Sequence, residues 1–162
     1  MHFVVKSKKR SENMRYPDFE PYMQLAITEA KKAYERGEVP VGCVITDRDG
    51  NVIISMSNSA EHDKMHSSHA ELRALEAASD SVRDFSKCTL YTTLEPCGMC
   101  AGAIAHYRVG RVIFGAFDNE FGCMFSKINL PLVMGHATEF IGGVCEDECM
   151  ALLNSFFRKM RQ

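Results

Sequence analysis

The spacing of apolar positions switches between helical and extended repeats along the chain, and each switch marks an element. Phe19, Tyr22, Met23, Ala26, Ala30, Ala33 and Tyr34 recur as one helical stripe, the pattern of an amphipathic helix. Asp18 and Pro21 mark its start, since proline is tolerated where its missing N–H costs nothing, and Gly37 closes it. Residues 39–46 are mostly apolar and β-branched and predict a strand; Pro40 must sit near its beginning, because a central proline would break the ladder. Asp49-Gly50 signals a tight turn, and residues 52–57 the returning strand of a hairpin. The polar stretch 58–68 reads as loop.

From His69 onwards, Leu72, Leu75, Glu76 and Ala78 support a second helix. Residues 89–93 predict a short strand, and Pro96 is placed to open a helix through Ala105. Residues 112–114 form another strand, ending at Gly115, while 118–136 carries no predicted element. A last strand over 138–141 precedes an amphipathic helix over 146–160, whose apolar face is Met150, Leu152, Leu153, Phe156 and Phe157. Strands interleaved with helices imply a mixed five-stranded sheet between helical layers, a three-layer α/β/α sandwich. Residues 1–16 are polar and aperiodic and read as an N-terminal arm; 17–162 reads as one domain, without a repeat or a dividing linker.

Composition narrows this picture rather than changing it. The 162 residues suffice for one sizeable core, and no apolar run reaches the ~18 residues of a membrane span. Near the N-terminus only Phe3-Val4-Val5 is apolar, too short for a signal-peptide core, so the simplest expectation is a cytoplasmic protein without membrane contact. Seven cysteines form an odd set without disulfide-framework spacing, which fits a reducing compartment with some thiols serving a metal. A net charge of −2 argues mildly against a dedicated nucleic-acid binder, although basic residues gather at both chain ends.

The chemistry concentrates in His69-Ala70-Glu71 and Pro96-Cys97-Gly98-Met99-Cys100. Cys97 and Cys100, three apart at a helix start, put both sulfurs on one side of the first turn. There the dipole and free N–H groups favour thiolates. Alone the pair could be a redox couple or half of a structural zinc site. Adding His69 gives three zinc ligands and an open fourth position, the pattern of a catalytic site. A closed site would need a fourth ligand from Cys43, Cys88, Cys123, Cys145, Cys149 or another histidine, and none has a paired spacing. Glu71, two positions after the histidine, could take a proton from an activated water and pass it to a ring nitrogen and then a leaving amine. The plainer alternative is a solvated glutamate at a helix N-terminus.

His-x-Glu followed by Pro-Cys-x-x-Cys is the signature of zinc-dependent cytidine and adenosine deaminases. Beyond it, Glu38-Val39-Pro40-Val41-Gly42, Leu90-Tyr91-Thr92-Thr93-Leu94-Glu95, Cys100-Ala101-Gly102-Ala103-Ile104, the stretch 108–116 and the terminal Phe156-Phe157-Arg158 resemble the bacterial tRNA-specific adenosine deaminases. The resemblance spans about Tyr22 to Arg161. It implies a cytidine deaminase-like fold and hydrolytic conversion of the wobble adenosine of a tRNA anticodon to inosine. A homodimer is implied, with Zn2+ held by His69, Cys97 and Cys100 and protons moved by Glu71. Carried over by position, Asn58, Asp118, Ser126, Asn129 and Arg158 become substrate contacts. Two stretches depart from the family pattern. Met65-His66-Ser67-Ser68 stands where an Asp-Pro pair is usual. The loop from Glu120 to Ser126, with Phe121 and Phe125, is bulkier than the usual Gly-rich one.

Phe121 and Phe125 could stack on splayed bases, or pack in the core or a dimer contact. His66 is close enough to the site for a substrate contact, whereas His62, His106 and His136 read as non-ligands. The leading expectation is a tRNA wobble-adenosine deaminase. A deaminase of a free base or nucleoside (guanine, cytosine or adenosine) competes with it, favoured by the acidic pI and the altered loop. A third reading, a zinc-stabilised partner subunit without activity, conflicts with the presence of Glu71.

Overall fold

The computed structural model describes residues 18–162; the arm expected over 1–16 lies outside the described residues. In chain order the elements are α1 (Glu20–Glu35), β1 (Gly42–Thr46), β2 (Val52–Ser57), α2 (Ala60–Asp63), α3 (Ala70–Ala78), β3 (Thr89–Leu94), α4 (Gly98–Tyr107), β4 (Arg111–Ala116), α5 (Leu130–Val133), β5 (Glu139–Gly142) and α6 (Glu146–Met160), with a 3-10 turn at Phe85–Lys87. The sheet runs β2-β1-β3-β4-β5. β1 is antiparallel to β2 and β3, while β3, β4 and β5 are parallel. This is the mixed five-stranded sheet expected from the pattern.

Alternation along the strands splits the core into two layers. Val44, Tyr91 and Ile113 face Met23 and Ile27 of α1 and Leu153 of α6. Their neighbours Ile45, Leu90, Val112 and Phe114 face Ala74 and Leu75 of α3 and Ile104 of α4. All seven cysteines are free thiols. Among the described residues no helix is long and apolar enough to cross a membrane.

The differences from expectation have local causes. β1 starts at Gly42 rather than residue 39, because the Val41 N–H is turned back onto the Val39 carbonyl at 2.8 Å. The helix expected from Pro96 begins at Gly98, with Cys97 extended as its N-cap. Two short helices appear in stretches read as loop. In α2 the Glu61 and His62 amides donate to the Glu38 carboxylate, so a residue far away in sequence caps it. Within α5, Asn129 accepts from Leu132 N at 3.1 Å, and Pro131 sits in the first turn.

Gly42 lets α1 lie directly on β1. A Cβ built there would run into the Ala26 carbonyl oxygen and reach Ala30 N at 2.6 Å. Gly102, inside α4, would meet only Leu130 Cδ2 at 3.9 Å. In urea titrations, Gly42→Ala is therefore expected to destabilise by about 1–3 kcal/mol through overpacking. Gly102→Ala should instead gain about 0.5–1 kcal/mol from helix propensity. Equal effects at the two positions would contradict the packing described.

Candidate active site

Two helix starts converge beyond the carboxyl end of β3. His69, in extended conformation, is the N-cap of α3; Cys97 is the N-cap of α4, and Cys100 lies in its first turn. His69 Nδ1 stands 3.5 Å from Cys100 Sγ and 3.7 Å from Cys97 Sγ. All three donor atoms lie within 4.8 Å of one another. A tetrahedral zinc with ordinary Zn–N and Zn–S bonds sets an N-to-S edge of about 3.6 Å, so the donor set fits zinc without rearrangement. Among the described residues no fourth histidine, cysteine or acid joins this group, which leaves one position open.

The electrostatics suit a cation. The Cys97 thiol is pushed down to about 4, chiefly by the hydrogen bond from Cys100, with His69 adding to it against burial. Cys100 is pushed far up by that same bond and by burial. One sulfur is thus a thiolate already, and two helix dipoles point their positive ends at it. His69 is raised, first by its hydrogen bond with Cys97.

Glu71 is buried beside this cluster, in the first turn of α3. Its Oε1 accepts from the Thr92 hydroxyl at 3.3 Å. Burial pushes its carboxyl above the usual glutamate range. A carboxyl raised in this way holds a proton more readily than an exposed glutamate, as a group that must act as both acid and base requires.

A cavity of about 820 Å³ opens over these groups; its lining includes Asn58, His66, Glu71, Asp118, Phe121 and Phe157. Of the expected substrate contacts, Asn58 and Asp118 therefore reach it. Asn58 donates from Nδ2 to Glu38 at 3.2 Å, which fixes the amide. Asp118 Oδ1 accepts from the Glu120 and Phe121 amides at 2.9 and 3.0 Å. Ser126, Asn129 and Arg158 are not among the lining residues. Ser126 turns its hydroxyl to Glu95, Asn129 caps α5, and Arg158 is exposed on the last turn of α6.

The sequence reading gave no role to the groups that build the walls. Glu95 is buried, and its carboxylate accepts from the amides of Asp118 (3.0 Å), Met124 (3.3 Å), Phe125 (2.8 Å) and Ser126 (2.8 Å). Gly122 is needed beside it, because a Cβ there would strike the Glu95 carboxyl. Glu38 does the same for the Asn58 side of the cavity, and Thr92 for Glu71. A glutamate at the end of an apolar strand, directly before Pro96-Cys97, was the available signal. Phe125 packs against Phe117 and Phe140 and belongs to the interior. Phe121 is 61% exposed.

A family model described as the cytidine and deoxycytidylate deaminase zinc-binding region matches residues 17–116. The chain is 42% identical over 147 residues to the tRNA-specific adenosine deaminase of Bacillus subtilis (strain 168), covering 88% of this chain and 91% of that one. The tRNA-specific adenosine deaminase of Haemophilus influenzae is 38% identical, over 88% of this chain and 85% of its own. Among solved structures, one from work on A-to-I editing by tRNA:A34 deaminases at the wobble position of transfer RNA is similar at a TM-score of 0.78. It is 34% identical and covers 82% of this chain and 99% of its own. A guanine deaminase from Nitrosomonas europaea shares the fold, with a TM-score of 0.74 and 21% identity, over 88% of this chain and 85% of its own.

Metal analysis of purified protein should find about one zinc per chain. His69→Ala and Cys97→Ala should each lose it to a mild chelator, while Cys43→Ala and Cys123→Ala keep it. Full zinc in the first two variants would contradict this ligand set.

Proposed function

The chain belongs to the zinc-dependent cytidine and deoxycytidylate deaminases and, within them, to the tRNA-specific adenosine deaminases; from that premise we propose that it hydrolyses the wobble adenosine of a tRNA anticodon to inosine, releasing ammonia. One observation carries this: Glu71, buried and short of donors, stands beside the His69-Cys97-Cys100 donor set on the floor of a cavity large enough for a nucleoside. Asn58 and Asp118 lie at its sides.

His69, Cys97 and Cys100 would hold the zinc. When bound, zinc supplies Lewis acidity that brings the pKa of a water towards neutrality. Glu71 takes the proton released as water oxygen bonds to C6 of the purine, and passes it to the ring nitrogen. The remaining proton, on the new C6 hydroxyl, passes through Glu71 to the exocyclic amine as the C6–N bond breaks, leaving the C6 carbonyl of inosine and ammonia. Thr92 holds the carboxylate in place through these transfers. With its nitrogen tied to Glu38, Asn58 offers its amide oxygen to the nucleoside. The target base must leave its stack to reach the floor, as base-modifying enzymes require.

The same reading keeps the cytoplasm, where tRNA is found, and a homodimer. Supporting the dimer, Ile128, Leu132, Val133 and Met134 form an exposed apolar run on and around α5.

Incubation with an anticodon stem-loop RNA, followed by nucleoside analysis, should find inosine at the wobble position and no comparable ammonia release from free guanine, cytosine or adenosine. Turnover of a free base with none of the RNA would overturn the reading in favour of a small-molecule deaminase.

A further inference from the structure

The mouth of the cavity differs in character from its floor. Among the described residues lining it there is no lysine or arginine. Asp118 and Glu120 place carboxylates there instead. Beside the polar side chains of His66, Asn119, Glu120 and Asn154, the rim exposes three large flat or apolar groups: Phe121 on the 118–126 loop, Met99 at the start of α4 and Phe157 on α6. A rim of this kind repels phosphates and favours the faces of bases.

Phe121 stands out because its exposure is not looseness. Its own amide donates to Asp118 Oδ1 at 3.0 Å. On its two sides the loop is fastened to Glu95, by Asp118 N at 3.0 Å and by Phe125 and Ser126 N at 2.8 Å. Cys123 N adds a bond to the Pro96 carbonyl at 2.8 Å, tying the loop to the residue just before the Cys97 donor. A ring on a backbone held this firmly, and left 61% exposed, is hydrophobic area kept open at the entrance of a reaction cavity. The bases on either side of a flipped nucleotide are tethered to it by one phosphodiester each, so they remain at that entrance. Stacking on an aromatic ring needs no particular base, since every base has a π face.

We infer that Phe121 is a substrate-binding residue that stacks on a nucleobase next to the deaminated adenosine, so that the enzyme grips the anticodon at its mouth through base faces and not phosphates. This rests on the RNA-deaminating reading above and deepens it.

The test uses full-length enzyme and anticodon stem-loop RNA, intact or with an abasic residue on one side or the other of the target adenosine. Phe121→Ala should raise KM about 5- to 150-fold, the range of one lost base–aromatic stack, with kcat changed less than about twofold. Phe121→Tyr should restore KM, and Phe121→Leu should not. One of the two abasic RNAs should raise the wild-type KM by a similar factor and add nothing in Phe121→Ala. The slope of log KM against log salt should stay the same in the variant, since no phosphate contact is lost.

Unchanged KM in a folded Phe121→Ala enzyme, independent effects of the variant and both abasic RNAs, or full rescue by leucine would each overturn the assignment. Wild-type enzyme that makes no inosine in intact RNA would instead sink the underlying reading, and this one with it; the two failures are told apart before any variant is made.

Discussion

A carboxylate taken out of water must find donors in the protein, or it will resist ionisation. Three buried glutamates meet this constraint differently, and the site follows from the difference. Glu38 receives the Asn58 amide and two backbone N–H groups of α2. Glu95 receives four backbone amides and the Ser126 hydroxyl. Glu71 has the Thr92 hydroxyl and its own backbone N–H, and burial leaves its pKa raised. Well-supplied carboxylates serve as anchors for loops. The undersupplied one is left able to exchange a proton, and it sits beside the metal donors.

The two anchored glutamates also explain how side chains on the rim can vary without disturbing the floor. Hydrogen bonds to a charged group contribute about 1.5–3 kcal/mol each, so the path of the 118–126 loop is set by Glu95 more than by its own side chains. Side chains along the loop can then point either way. Phe125 turns into the interior against Phe117 and Phe140, and Phe121 turns out to the mouth. On the opposite wall, Glu38 fixes α2 and Asn58 while His66 is free to line the cavity. In the proposed reaction, chemistry and substrate grip are carried by different parts of one pocket.

Much of this was legible in the sequence, for reasons that can be named. The helix over 146–160 and the strand over 52–57 have clean periods and flanking signals, and the structure places them at Glu146–Met160 and Val52–Ser57. The metal donors were legible because Cys-x-x-Cys and His-x-Glu are local spacings set by helix geometry. Asn129-Leu130-Pro131 did carry a cap-and-proline signal for α5, which a loop reading passed over. Helix α2 was beyond reach, since its cap is Glu38, over twenty residues earlier, and no local pattern encodes that bond. The same holds for Ser126: its position suggested a substrate contact, while its hydroxyl and amide both serve Glu95. Long-range hydrogen bonds to buried charge are what one sequence conceals.

The account stands or falls on Glu71 as the carrier of protons rather than as a structural acid. The direct measurement is inosine formation in an anticodon stem-loop by zinc-loaded Glu71→Gln, with zinc content and melting temperature recorded on the same sample. Wild-type zinc and an intact fold, with turnover down by a factor of about 10²–10⁴, is the predicted result. Turnover within a few-fold of wild type in a fully zinc-loaded variant would contradict it.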